Sequence, residues 1–165
     1  MKQLLHQYAS YNLWANKKIS DRIIQLEEAA MDMEVQSSFP SIRKTMLHLW
    51  DVESIWWQRL QLAERDIEPS QTFKGNMGDL VKELLKTSAG WERWIYATND
   101  VNIMHVFAYH NSKKEHYKQP VYEMLLHLFN HQTYHRGQIV SMFHALSIDK
   151  IPATDFILFS RKKLN

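Results

Sequence analysis

The stretch from Pro120 to Ser147, PVYEMLLHLFNHQTYHRGQIVSMFHALS, decides how the chain folds. Proline stands at its head, where a helix loses nothing by a missing N–H. With 100° of rotation per residue, Met124, Leu128, Met142 and Leu146 fall near one side of an ideal helix. The spacing predicts an amphipathic α-helix from about Val121 to Ser147 whose apolar stripe must be buried against other elements.

Three further helical stretches lie upstream. Leu5, Tyr8, Leu13, Ile19, Ile23 and Leu26 recur at helical spacing, predicting a first helix from about Lys2 to Leu26. Residues Glu27 to Ser38 are polar and irregular, a connection long enough to cross one end of a bundle. A second helix is expected from Phe39-Pro40 to about Ala63, capped by Ser38, with His48, Val52, Ile55 and Arg59 on its inner face. Pro69, Ser70 and Gly75 mark a loop from Arg65 to Asn76. A third helix follows from Met77 to about Asn99, striped by Leu80, Leu84, Trp91 and Ile95. Between Val101 and Lys118 the period changes to alternation (Val101, Ile103, His105, Phe107, Tyr109), and Asn111-Ser112-Lys113-Lys114 supplies a turn, which reads as a small hairpin. The tail from Asp149 to Asn165 carries the apolar run Phe156–Phe159, too short to assign to helix or strand. The expected fold is therefore all-α: one domain over residues 1–165, built as a four-helix bundle with a crossover connection and a small hairpin before the fourth helix.

Composition narrows the function. With 20 Lys plus Arg against 18 Asp plus Glu, the net charge of +2 lacks the concentrated basic face of a nucleic-acid binder. The absence of cysteine rules out disulfides, thiolate metal ligands, iron–sulfur clusters and a protein thiol nucleophile. No stretch approaches the ~18 uninterrupted apolar residues of a membrane span, and Met1-Lys2-Gln3-Leu4-Leu5-His6 lacks the apolar core of a signal peptide. The expectation is a cytoplasmic protein with neither a nucleic-acid nor a membrane partner.

The nine histidines are the chemical signal. His127, His131 and His135 step by four along the fourth helix, two i,i+4 pairs where random placement of nine would give about 0.4. His131 and His135 lie on the apolar stripe, and His127 lies at its edge. Buried imidazoles need partners for both nitrogens, and two on one turn resist double protonation. A divalent cation answers both requirements, because it binds neutral rings and tolerates several together. The best third ligand is His48, on the face of the second helix shared with Val52 and Ile55; the same position also suits a packed core histidine. His127 reads either as a ligand or as a neighbour that orients one. His6, His105, His110, His116 and His144 lack such geometry and read as surface or packing residues.

Other catalytic patterns are missing. Leu128 and Gln132 follow His127 and His131 where a metalloprotease helix needs glutamate, and neither a Gly-rich phosphate loop nor a Gly-x-Ser-x-Gly elbow occurs. Six tryptophans read as core. Asp155 either reaches the site or serves as a cap or surface charge.

The segment His131-Gln132-Thr133-Tyr134-His135-Arg136-Gly137-Gln138-Ile139 resembles the signature of the DinB/YfiT-like metalloenzyme superfamily. Tyr11-Asn12-Leu13-Trp14-Ala15-Asn16, Ser38-Phe39-Pro40-Ser41-Ile42-Arg43, His48-Leu49-Trp50-Asp51-Val52-Glu53 and Pro152-Ala153-Thr154-Asp155-Phe156 are similar to further segments of that family, so the likeness covers most of the chain. The resemblance implies a four-helix bundle, a divalent metal site of His48, His131 and His135, nickel or zinc as the ion, and a homodimer. Relatives include enzymes dependent on mycothiol and bacillithiol. The activity implied is a metal-dependent S-transferase using a low-molecular-weight thiol, or a hydrolase, acting on a small molecule; the alternative is a non-catalytic metal-binding module of the stress response. No catalytic residue beyond the ligands is assigned.

Overall fold

A computed structural model describes residues 1–111 and 113–161. Four long helices carry the fold: α1 (Lys2–Ile23), α3 (Ile42–Leu60), α4 (Met77–Ala97) and α6 (Val121–Ala145). Both α1 and α3 pack on α4 and on α6, so α1 faces α3 across one diagonal and α4 faces α6 across the other. The chain must therefore cross a diagonal twice, from α1 to α3 and from α4 to α6. These are the two connections that carry extra structure. The first holds the short α2 (Glu28–Asp32). The second holds α5 (Asp100–Met104) and the antiparallel strands β1 (Val106–His110) and β2 (His116–Pro120), paired in the register Phe107↔Gln119 and Tyr109↔Tyr117. A 3-10 turn (Pro69–Thr72) lies between α3 and α4, and α7 (Phe156–Arg161) closes the described chain.

Local chemistry sets the helix ends. Ser41, rather than Ser38, caps α3 by accepting from Lys44 N, so that helix begins at Ile42 and not at Phe39-Pro40. Asn76 and Asp79 form a reciprocal capping box at the head of α4. The expected hairpin is shorter than the alternation implied. Asn99 accepts from Asn102 N and starts α5 through Val101 and Ile103, leaving only residues from Val106 onward as strand. Ser112 of its turn lies outside the described residues. The first helix stops at Ile23, short of Leu26. The run Phe156–Phe159 is helical and packs Phe159 against Tyr11 and Trp14.

The inner face of α3 also differs from expectation. Leu49, Glu53 and Trp56 are buried, whereas His48, Val52, Ile55 and Arg59 are half-buried at the edge. The core comprises two large apolar clusters and a small third one of Tyr11, Ala15 and Phe159. Of the large clusters, one joins Ile19, Leu49, Leu84 and Phe143; the other joins Leu5, Trp91, Leu128 and Phe129. Each wholly buried aliphatic or aromatic side chain contributes about 1.5–3 kcal/mol. Three of the six tryptophans (Trp50, Trp56, Trp91) are buried, in line with their reading as core. Between the clusters runs a polar layer of Asn12 and Asn16 from α1, Glu53 from α3, Ser88 from α4, and Gln132 and Arg136 from α6, each no more than 2 % exposed. No helix among the described residues is long and apolar enough to cross a membrane.

Candidate metal centre

At the level of the polar layer, on the edge between α3 and α6, three imidazoles converge. His48 Nε2 lies 3.0 Å from His131 Nε2 and 3.1 Å from His135 Nε2. Ring nitrogens of all three fall within 4.8 Å of one another, and they are the single such group of metal-ligating side chains found among the described residues. His135 is buried, and His48 and His131 are half-buried. The i,i+4 spacing of His131 and His135 sets their rings edge-on with centroids 4.4 Å apart on one turn of α6, and α3 brings His48 across to meet them.

The separations discriminate between two accounts of the cluster. A ring nitrogen has one in-plane position, filled by either a proton or a lone pair, so His48 Nε2 can satisfy one of its two short contacts by hydrogen bonding. The other is then left as nitrogen against nitrogen. Gln138 Oε1 accepts from His135 Nδ1 at 2.7 Å, which assigns the proton to Nδ1 and turns a bare Nε2 toward the cluster. A first-row cation holding imidazoles at about 2.0–2.1 Å sets their nitrogens about 2.9 Å apart at right angles and about 3.3 Å apart in a tetrahedron. The observed 3.0 and 3.1 Å fall inside that range. The donor set therefore fits a divalent metal.

Electrostatics favour the ligating form. Burial, then the neighbouring rings His135 and His131, pushes His48 down to about 4. Burial, then His135 and His127, does the same to His131. Burial also lowers His135. At neutral pH the rings are uncharged, with lone pairs to give.

The surroundings fix the rings in place. Phe39 stacks on His48 with centroids 4.1 Å apart and meets His135 edge-on at 5.5 Å. Gln138 Nε2 donates to Ser38 Oγ at 2.8 Å, so one amide ties both His135 and the segment before α3 to α6. His127 stands outside the converging set. It is exposed, 5.6 Å from His131 between centroids, and packs edge-on against Trp56. Asp155 is exposed at the start of α7, where its carbonyl accepts from Leu158 N and Phe159 N; it is not among the convergent ligating groups.

Sequence reasoning missed three supports: Gln138, Phe39 and the polar layer. Gln138 follows His135 by one helical turn, which could have flagged it. Phe39 comes from a connection whose path no periodicity encodes. Asn12/Asn16 and Gln132/Arg136 are i,i+4 polar pairs interrupting apolar stripes, a pattern visible in the sequence.

The model of the DinB family matches residues 1–162. Protein DinB of Bacillus subtilis (strain 168) is 28% identical over 168 residues, covering 96% of this chain and 95% of that protein. Among solved structures, YfiT from Bacillus subtilis, described as a probable metal-dependent hydrolase with an unusual four-helix bundle topology, superposes with a TM-score of 0.73 at 14% identity, covering 89% of this chain and 90% of its own. A DinB-like protein from Bacillus cereus ATCC 10987 gives a TM-score of 0.64 at 12% identity, covering 84% of this chain and 89% of its own.

Proposed function

The chain belongs to the DinB family, and on that premise we propose that it is a metal-dependent enzyme acting on a small molecule, with His48, His131 and His135 as ligands of a divalent cation. The observation that carries this reading is the convergence of three imidazoles in which His48 Nε2 lies 3.0 Å from His131 Nε2 and 3.1 Å from His135 Nε2, two spacings that one cation satisfies and one ring position does not. The description of YfiT as a probable metal-dependent hydrolase supports it at the level of reaction class.

Three imidazoles bring no charge, so the ion they hold keeps its full 2+ charge, and zinc or nickel suits the donor set. Such an ion supplies Lewis acidity, which acidifies a water or thiol nucleophile and polarises a substrate oxygen. The chain itself supplies orientation. Gln138 and Phe39 hold two of the rings at the spacing required, and the fixed Nδ1–H of His135 keeps its Nε2 unprotonated. His127 stands exposed beside His131 and is backed by Trp56, outside the three proposed ligands. With no cysteine in the chain, a thiol nucleophile must arrive as a low-molecular-weight cosubstrate.

The test is to load chelator-stripped protein with zinc or nickel and follow two reactions: hydrolysis of activated esters and amides, and consumption of a small thiol in the presence of an electrophile. The reading expects metal-dependent turnover in one of them that is lost in His135→Ala. Metal uptake without turnover in either would favour the non-catalytic module.

A further inference from the structure

A second pair of imidazoles stands outside the three-ring centre, at the turn end of the hairpin. His110 and His116 are directly opposite one another, the last pair of the β1–β2 ladder. Asn111 N donates to Glu115 O at 3.1 Å. Antiparallel pairs alternate in kind, so His110 and His116 form a non-hydrogen-bonded pair, whose side chains stand closest. Their ring centroids are 4.0 Å apart and tilted by 59°, and both residues are exposed.

The turn beyond them is braced by one side chain. Asn111 Oδ1 accepts from Lys113 N and Glu115 N, and Asn111 Nδ2 donates to Glu115 Oε2. The two backbones that carry the rings are thus held in register before any ligand arrives, which lowers the ordering cost of binding. Both rings line a cleft of ≈ 940 Å³ together with Glu64 and Asp66 of the loop after α3, and Asp66 is paired with Arg59 at 2.6 Å.

We propose that His110 and His116 form a second divalent transition-metal site, with both imidazoles as ligands and water completing the shell. Paired imidazoles select zinc, copper or nickel over magnesium and calcium, which demand oxygen ligands. Arg65 and Lys114 line the same cleft and oppose a dication. With only two fixed protein ligands as well, this site is the weaker of the two in the molecule. It is independent of the three-ring centre, because the hairpin contributes none of the residues there.

Equilibrium dialysis of tag-free, chelator-stripped protein against zinc tests it, with magnesium as the control ion. The site predicts a second, weaker equivalent of zinc per chain and no uptake of magnesium. His110→Ala and His116→Ala each weaken that second class by about tenfold or more, since one imidazole remains where two chelated, and leave the tighter class unchanged. His131→Ala does the reverse, so the two sites fail separately. A single class of zinc in the wild type, or a second class that persists in His110→Ala, overturns the proposal.

Discussion

Glu53 on α3 and Arg136 on α6 are joined through the side-chain amides of Asn12 and Asn16. Arg136 Nη1 donates to Asn12 Oδ1 at 2.6 Å and to Asn16 Oδ1 at 2.8 Å, and the same two amides donate from Nδ2 to Glu53 Oε1 at 2.8 and 3.2 Å. Ser88 Oγ adds a donor to the carboxylate. Gln132 Nε2 donates to Leu49 O, fastening α6 to α3 beside His131. Four helices therefore meet in one polar layer between two apolar clusters, and this layer shares its level with the three imidazoles.

Removing one charge from the layer leaves the other buried and uncompensated. Arg136→Met should lower unfolding stability by about 3–5 kcal/mol at a pH where Glu53 is ionised. Urea unfolding measures this directly. A loss below about 1 kcal/mol, the scale of an exposed ion pair, would show that the layer contributes little.

Glu53 also sets a pH dependence. Burial pushes its carboxyl from the ordinary 4.5 up to about 7, against the donors Asn12 and Ser88 and the charge of Arg136. A group whose folded pKa is raised in this way keeps its proton in the native state after the unfolded state has lost it. Its contribution is fully present below about pH 4.5, declines as pH rises toward about 7, and is flat above that. The lowered imidazoles His48 and His131 act in the opposite sense, adding stability as pH rises from about 5 through the ordinary histidine value. The Glu53 contribution is therefore read as a difference: between about pH 5 and about pH 8 the urea midpoint of Glu53→Gln, which has no proton to lose, should change more in the stabilising direction than that of the wild type. An equal change in both proteins contradicts the assignment.

Gln138 makes a separable prediction, because it touches His135 without joining the cluster. Gln138→Leu removes the acceptor for His135 Nδ1–H and frees the ring to change tautomer. Metal affinity should drop about 10–100-fold while the melting temperature of stripped protein stays near that of the wild type. Ser38→Ala, which only loosens the amide of Gln138, should cost less. Unchanged affinity in Gln138→Leu would mean that packing by Phe39 alone holds the ring.

Much of this architecture was readable from the chain. The stripe of Met124, Leu128 and Met142 is buried as its period requires, and it carries His135 inward with it. His131 and His135 were legible because a helix converts a spacing of four into proximity. The second helix was harder. Its true inner face runs through Leu49, Glu53 and Trp56, and a glutamate in mid-stripe breaks the binary pattern that reveals a core face. Glu53 is tolerated there only because Asn12, Asn16, Ser88 and Arg136 arrive from three other helices, a long-range satisfaction that local sequence cannot display. The diagonal path of the chain was equally hidden, since helix periodicity records which face is buried and not which neighbour buries it.

The central claim is that His48, His131 and His135 hold one cation. Anomalous diffraction from crystals of tag-free protein soaked with zinc or nickel tests it most directly. The account predicts one strong peak about 2.0–2.1 Å from all three Nε2 atoms, absent from His135→Ala crystals treated in the same way. Three ordered rings with no peak between them, or a peak bound by fewer than three of them, would contradict it.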